Sequence, residues 1–326
     1  MALPRHFLIP TAQAVVALGF VSAFCPLNSR AQIVTATAAQ VDTLRAEIKA
    51  AEARHADAGR LGHLWRDVGI AYESQLDEDA ALDAYAHAIP LLRASGCESE
   101  YADTLHGLGS VYLNMQRRDD ARKYMLAALA IYEKQGDHVK ASFLHQTIGI
   151  SWLFDSKYKE ATSEFSAAVS DINQSPDGQP EPMIGSYLLR AGAEYHSGDT
   201  ERALQDIAEA RKVAAPLQLA PNSIETIGMS LAEGAALTRL GHGDTGDALI
   251  QQALEQLSTR NDFSEALRQK MRIAILREYG WALAAAHRKR EAKGVEAQAA
   301  MLQSKLPGAC AGCTVSVSTL GLAGLR

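Results

Sequence analysis

Two cysteines near the C-terminus, Cys310 and Cys313, have the spacing best suited to covalent chemistry in this sequence. A Cys-x-x-Cys pair can close a local disulfide, exchange thiols with a partner, or bind a metal when two further ligands are present. Thr314 stands where a c-type haem site needs His, and no second ligand pair is apparent. We interpret the pair as a disulfide, with thiol–disulfide exchange as the alternative, which leaves Cys97 as the odd thiol beyond residue 31.

Other residues that could do chemistry are scattered along the chain. His138 and His145 are seven residues apart and can share a helix face, but no acid or cysteine lies at ligand spacing from them. The sequence contains neither a Gly-x-Ser-x-Gly elbow nor a phosphate-binding loop. We therefore predict a protein that is not an enzyme and that needs no metal or cofactor.

Composition and charge narrow the class of partner. The chain has 326 residues, of which 47% are hydrophobic and 21% charged, as in globular proteins. Its net charge is −6, and removal of the first 31 residues, which contain two arginines and no acid, makes it −8. An acidic protein is poorly suited to the phosphate backbone of nucleic acids, so we expect no nucleic-acid partner.

The N-terminus resembles a cleavable signal peptide. Arg5 precedes a mostly apolar run at residues 7–24, and Ser29 and Ala31 place small residues at the −3 and −1 positions of a cut after Ala31. A retained anchor helix is the alternative, although the run is short for a membrane span of about 20 apolar residues. No later stretch is long and apolar enough to span a membrane. We expect export, to the periplasm or the medium.

The elements that position any site are indicated by an internal repeat. Glycines recur at intervals of 40, 40, 43, 42 and 46 residues, at Gly69, Gly109, Gly149, Gly192, Gly234 and Gly280. Three residues after each glycine stands an aromatic residue or leucine: Tyr72, Tyr112, Trp152, Tyr195, Leu237 and Leu283. Two alanines, or once a glycine and an alanine, follow seven residues apart, as in Ala81 and Ala88 or Ala121 and Ala128.

This pattern resembles the tetratricopeptide repeat, Trp-x2-Leu-Gly-x2-Tyr followed by Ala-x3-Phe-x2-Ala. The match is strong in the first three units, good in the fourth and weak in the last two, where Glu233 and Glu296 replace large apolar residues. The resemblance implies an all-α fold, a right-handed α-solenoid of about six antiparallel helix hairpins. The periods exceed the family's usual 34 residues, which indicates longer helices or extended links.

The repeat also fixes the expected domain organisation. We predict a signal peptide at 1–31, an N-terminal capping region at 32–60, a repeat array at 61–306 and a tail at 307–326. Within the capping region, residues 38–58 have the spacing of one amphipathic helix. Turns are expected at glycines that end helices, at Gly96, Gly136, Gly198 and Gly241.

In tetratricopeptide proteins the first helix of each unit lines a concave face that binds partners. Carried onto this sequence, that resemblance implies a groove that is apolar in its middle, formed by Phe143, Gln146, Ile150, Leu153, Phe154, Leu189, Leu231 and Trp281. Such a groove suits an amphipathic helix or an extended peptide. The family's clamp for a terminal carboxylate is not expected, because Ile70, Gly107, Phe143 and Thr147 occupy its positions.

The sequence thus predicts an exported, non-enzymatic scaffold that binds a protein or peptide. A thiol–disulfide protein using Cys310 and Cys313 is the first alternative. A cytoplasmic peptide-sensing regulator is the second, and it requires residues 1–31 to be retained.

Overall fold

The computed structural model describes residues 38–75, 77–175 and 180–306. These parts of the chain contain thirteen α-helices, a short 3-10 helix at Ala215–Leu217 and no β-strand. The first seven helices are α1 (Ala38–Ala53), α2 (Ala58–Gln75), α3 (Glu78–Ser95), α4 (Glu98–Asn114), α5 (Arg118–Gln135), α6 (His138–Phe154) and α7 (Tyr158–Gln174). The rest are α8 (Pro180–Ser197), α9 (Thr200–Ala214), α10 (Ile224–Arg239), α11 (Gly243–Ser258), α12 (Glu265–Ala285) and α13 (Lys289–Ser304).

Six successive helix pairs follow α1, as the repeat predicts. The pairs α2–α3, α4–α5, α8–α9, α10–α11 and α12–α13 each pack along their length, and α6 and α7 follow one another across a three-residue turn. The all-α class and the α-solenoid of antiparallel hairpins are confirmed. The helices after α1 run from 15 to 21 residues, which accounts for periods longer than usual in the family.

The chain divides into two compact units. Among the described residues, the N-terminal unit comprises 38–151 and 167–175, and the C-terminal unit comprises 152–166 and 180–306. The predicted signal peptide, the Cys310–Cys313 pair and the rest of the tail lie outside the described residues, so those predictions stay untested. No helix in the described parts is both long and apolar enough to cross a membrane.

Helix ends follow local chemistry. Gly96 and Gly136 have φ angles of 72° and 69°, in the left-handed region that ends a helix at low cost for glycine. The side chains of Asp199 and Ser223 accept hydrogen bonds from backbone N–H groups in the first turns of α9 and α10. The predicted turns at Gly96, Gly136, Gly198 and Gly241 are all present.

The first helix is shorter than predicted. Residues 38–58 were expected to form one helix, but α1 ends at Ala53 and α2 begins at Ala58. The break has a local cause, because His55 takes a left-handed φ of 53° and Asp57 accepts a hydrogen bond of 2.9 Å from the Arg60 backbone N–H. Ile48 of α1 still packs with Leu64 and Val68 of α2, so α1 covers the first hairpin.

The small residues of the repeat lie in the core in strong and weak units alike. Helix-opening alanines and their partners seven residues later are at most 3% exposed: Ala81, Ala88, Ala121, Ala128, Ala203, Ala210, Ala253, Ala292 and Ala299. At the weak positions the polar residues are accommodated at the surface, where Glu233 accepts hydrogen bonds from Arg211. Close helix approach therefore occurs in the first, second, fourth, fifth and sixth hairpins.

Candidate functional site

The predicted groove residues are mostly interior. Six of the eight are buried, namely Phe143, Gln146, Ile150, Leu153, Leu189 and Leu231, while Phe154 and Trp281 are half-buried. The expectation of an exposed apolar face is wrong for those six. Helix α6 shows why, since every residue from 141 to 151 except His145 is buried, its polar residues Gln146 and Thr147 included. A role of these residues in partner binding stays a prediction.

Part of that set meets at a cavity in the C-terminal unit. The cavity measures about 40 Å³ and its wall is mostly aliphatic: Leu153, Leu188, Leu189, Ala191, Gly192, Ala203, Ile207, Ala232 and Ala235. Four polar residues complete the wall: Tyr158, Tyr195, His196 and Glu278. We call these thirteen residues the Glu278 pocket. Phe143, Gln146, Ile150 and Leu231 do not line it, and Leu231 instead packs in a separate cluster with Ile250 and Leu257.

Four helices of the C-terminal unit build most of the pocket. Helix α8 contributes six residues between Leu188 and His196, α9 contributes Ala203 and Ile207, and α10 contributes Ala232 and Ala235. Helix α12 places a single residue, Glu278, in the wall. The carboxyl group thus comes from a residue 82 positions after His196 in the sequence.

Glu278 and His196 form a buried pair. Nε2 of His196 lies 3.6 Å from Oε2 of Glu278, and the two side chains are 10% and 5% exposed. Burial raises the pKa of Glu278 to about 8, an effect that the positive charge of Arg239 only partly offsets. Burial also lowers the pKa of His196 to about 4, and Arg239 adds to that shift. At neutral pH the pocket therefore holds a protonated carboxylic acid beside a neutral imidazole.

An aromatic and cationic wall holds His196 and Tyr195 in place. Nη1 of Arg239 donates a hydrogen bond of 2.6 Å to the backbone oxygen of Tyr195. Its guanidinium carbon lies 5.1 Å from the centre of the Tyr195 ring and 5.6 Å from that of Trp281. The Trp281 ring lies 4.8 Å from the His196 ring. Trp281, from the predicted groove set, thus supports the pocket from outside its wall.

Three buried polar atoms of the Glu278 pocket lie beyond hydrogen-bond distance of any partner among the described residues. They are the hydroxyl oxygens of Tyr158 and Tyr195, the latter near Arg239, and Nδ1 of His196. Burial, more than the nearby Glu278, raises the pKa of the Tyr195 hydroxyl, which keeps it a hydrogen-bond donor. Nearly all buried polar groups in proteins are hydrogen-bonded, so unpaired groups beside a cavity are available to a ligand.

The cavity exists because one repeat glycine is left uncovered. A Cβ atom on Gly69 would lie 2.5 Å from the Tyr85 ring, because the tyrosine of the following helix fills the space above that glycine. The equivalent residue in the fourth hairpin is Ile207, and a Cβ on Gly192 would meet no atom within 4 Å. Residue type alone does not leave this space open, because Ile250 at the equivalent position of the fifth hairpin would lie 2.7 Å from a Cβ on Gly234.

A second polar network ties α8 to α9 next to the pocket. Arg190 donates hydrogen bonds of 2.6 and 2.7 Å to the two carboxylate oxygens of Asp206, and one of 3.2 Å to Ser166. Glu194 lies beside them, and burial, followed by the charge of Asp206, raises its pKa to about 7. This network fixes the two helices that supply most of the pocket wall.

Sequence reasoning named Leu153, Leu189 and Trp281 but missed Glu278, Tyr158 and Tyr195. A signal for Glu278 was present, since it interrupts an otherwise mostly apolar stretch from 273 to 283. An ionisable residue among core positions of a helix is uncommon unless paired or functional. The other two were assigned to the repeat pattern or left unassigned.

The structure corrects the prediction for His138 and His145 in the N-terminal unit. An acid partner does exist, because Nδ1 of His138 lies 3.1 Å from Oδ1 of Asp171 and Nε2 of His145 lies 3.6 Å from Oδ2. Asp171 belongs to the next helix, so sequence spacing could not reveal it. The described residues nevertheless contain no group of three acids, histidines or cysteines arranged to hold a metal ion. Cys97 is a free thiol among them.

Comparison with known proteins identifies the fold. No family model matches the chain, and no curated protein is significantly similar to it in sequence. Solved structures are similar. The apo form of RapI is 13% identical with a TM-score of 0.65, over 85% of this chain and 93% of that one. The fold is of the tetratricopeptide-repeat type.

Two further structures agree with this assignment. Aspartyl phosphate phosphatase F from Bacillus subtilis is 12% identical, with a TM-score of 0.61 over 97% of this chain and 99% of that one. A Rap protein in complex with competence and sporulation factor is 16% identical, with a TM-score of 0.51 over 91% of each chain. At these identities the similarity is one of fold alone.

Proposed function

We propose that the protein is a non-catalytic scaffold that binds a peptide segment, and that the Glu278 pocket anchors one side chain of that segment. The observation that carries the proposal is a mostly aliphatic cavity with unpaired polar atoms in its wall. Concave, apolar sites with a few convergent polar groups are where proteins of unassigned function most often bind ligands.

The size of the cavity limits what enters it. A water molecule requires at least about 10–15 Å³ measured in this way, so 40 Å³ accommodates a few heavy atoms. That suits a short aliphatic side chain such as valine or leucine and not a whole peptide. The rest of a ligand would lie outside the cavity, near the half-buried Tyr158 and Ala232.

The structural neighbours support binding as the role of this fold. One of them was solved with a bound factor, the competence and sporulation factor. A further neighbour is named as an aspartyl phosphate phosphatase, but a likeness of fold at 12% identity carries no activity over to this chain. Acid, imidazole and phenol groups in the wall suit hydrogen bonding to a ligand.

The test uses peptide mixtures and the full chain. Labelled, N-acetylated and C-amidated hexapeptides carry a fixed Ala, Val, Leu, Phe or Asp at position 3, and binding is followed by fluorescence anisotropy. We expect Val and Leu mixtures to bind most tightly. Gly192→Leu, which fills the cavity, should weaken that binding about tenfold or more, because a buried aliphatic side chain contributes roughly 1.5–3 kcal/mol.

The control is Met301→Ala, at a residue of the same unit that is 51% exposed. It should bind as the wild type does. Equal binding of all five mixtures, or undiminished binding by a correctly folded Gly192→Leu variant, would contradict the pocket as the binding site. Circular dichroism establishes folding, and Ala232→Leu provides a second way of filling the cavity.

We also propose that the protein is exported to the periplasm or the medium. The support is the order of a basic residue, an apolar run and small residues at 1–31. Sequencing the N-terminus of the native protein should find Gln32 first, and Ala31→Leu should block cleavage. A native protein in the cytoplasmic fraction that retains residues 1–31 would contradict export and favour a cytoplasmic regulator.

A further inference from the structure

One face of α12 is left open beside the Glu278 pocket. Between Ile273 and Leu283, every residue is buried except Arg277 and Trp281. Residues four apart are neighbours on a helix surface, about 5–6 Å apart at Cβ, so these two share the open face. Since Trp281 contacts His196 of the pocket wall, Arg277 lies about one helical turn from the pocket.

Arg277 carries an unneutralised charge. Among the described residues no acid lies within ion-pair distance of its guanidinium, and its pKa is lowered by burial alone. Two other arginines of α8 and α10 differ, since Arg190 binds Asp206 and Arg239 binds the Tyr195 backbone oxygen. A half-buried charge is costly unless it is paired, and guanidinium pairs most strongly with a carboxylate.

We propose that the ligand is an extended peptide segment with an acidic side chain two residues from a short aliphatic one. The aliphatic side chain enters the Glu278 pocket and the carboxylate pairs with Arg277. Alternate side chains of an extended peptide lie on the same side, about 6.6–6.8 Å apart, which matches a separation of about one helical turn. This inference rests on the proposed function and adds the charge of the ligand.

Electrostatics near the site favours an anionic group. Burial holds the pKa of Glu278 at about 8, so it does not repel a carboxylate at neutral pH, and His196 is neutral there. The net charge of −6 opposes an acidic ligand at long range. Exposed charges beyond about 8 Å are screened at physiological ionic strength. The contact with Arg277, and not the net charge, therefore determines whether an acidic ligand is preferred.

The experiment compares two peptide mixtures that differ in one group. Both are N-acetylated, C-amidated hexapeptides with Val at position 3, and position 5 is Glu in one and Gln in the other. At pH 6.5–7 we expect the wild type to bind the Glu mixture about tenfold more tightly, as a charge-assisted hydrogen bond of roughly 1.5–3 kcal/mol implies. Arg277→Gln should remove that preference, and Arg277→Lys should retain part of it.

Arg272→Gln is the matched control, because Arg272 is exposed on the same helix, and it should bind like the wild type. A third mixture has Gln at position 5 and a free C-terminus, and binding equal to that of the Glu mixture would overturn the assignment to an acidic side chain. Equal binding of the Glu and Gln mixtures by the wild type, or a preference that persists in Arg277→Gln, overturns the inference and leaves the pocket intact. Absence of binding by every mixture overturns the proposed function as well.

Discussion

The first and fourth hairpins differ in the side chain that the second helix places near the repeat glycine of the first helix. In the N-terminal unit the Tyr85 ring fills the space above Gly69, and its hydroxyl donates a hydrogen bond of 2.8 Å to the buried Glu73. In the fourth hairpin Ile207 leaves the space above Gly192 open, and the buried Glu278 lies 3.6 Å from His196. One repeat pattern therefore yields a filled, satisfied core in the first hairpin and a cavity with unpaired polar groups in the fourth.

The first hairpin contributes to stability, whereas the fourth has the features of a binding site. Both glutamates are 4% exposed, yet only Glu73 receives a hydrogen bond from the aromatic side chain that fills its hairpin. Buried polar groups with partners make a core specific, whereas unpaired ones destabilise it until a ligand supplies the partner. Ile207 leaves Gly192 uncovered whereas Ile250 covers Gly234, so the approach of the two helices, and not the residue type, decides whether a cavity remains.

The largest effect on stability is expected when the side chain that fills the first hairpin is removed. Tyr85→Ala should lower the free energy of unfolding by about 3–5 kcal/mol, because a fully buried aromatic ring is lost and a cavity remains. Ile207→Ala, beside an existing cavity, should cost nearer 2 kcal/mol. Urea denaturation of both variants measures the difference. Equal losses would mean that the two hairpins are packed alike.

The next largest effect on stability is expected when a methyl group is introduced beneath Tyr85. Gly69→Ala should destabilise by about 1–3 kcal/mol, since the new Cβ would lie 2.5 Å from the Tyr85 ring and the ring must move. The double variant Gly69→Ala with Tyr85→Leu should lose less than the two single changes added together, because the smaller side chain relieves the clash. Strict additivity in urea denaturation would argue against close approach at this position.

The hairpins were predictable from sequence because they depend on local patterns. Gly69, Ala81 and Ala88 sit at fixed spacings that any helical hairpin must satisfy, so all six pairs could be placed. The pocket depends on a side chain that does not reach Gly192 and on His196 and Glu278, which are 82 residues apart. Neither feature recurs with the period of the repeat, so the repeat pattern could not predict the pocket. The expected exposure was wrong at α6 because the family positions presume an open face, whereas every residue of α6 from 141 to 151 except His145 is buried.

A smaller effect appears in the pH dependence of stability. The pKa of Glu278 is about 8 in the folded protein against 4.5 for an ordinary glutamate, so the folded state holds an extra proton between these values. Stability should therefore fall as pH rises through this window. Glu194 acts in the same direction only up to about pH 7, and His196 acts in the opposite direction only between about 4 and 6.5.

Glu278 dominates the interval from pH 7 to 8, because Glu194, with a pKa of about 7, is at least half ionised there. We expect the free energy of unfolding to drop there by about 1 kcal/mol, from a slope of about 1.4 kcal/mol per pH unit for one proton. Glu278→Gln, which does not titrate, should show almost no drop in urea denaturation at the same two pH values. Glu194→Gln should retain it. A wild-type curve that is level from pH 7 to 8 would show that the carboxyl group is ionised in the folded state.

The smallest effect has the opposite sign to that at Gly69. Gly192→Ala places a methyl group where no atom lies within 4 Å, and alanine favours a helix over glycine by about 1 kcal/mol. The variant should therefore be more stable than the wild type by roughly 0.5–1 kcal/mol in urea denaturation, while Gly69→Ala is less stable. The added methyl group also narrows the Glu278 pocket, so Leu peptides should lose more affinity than Ala peptides. A gain in stability combined with a loss of binding would show that the glycine is kept at this position for the cavity it leaves and not for helix packing.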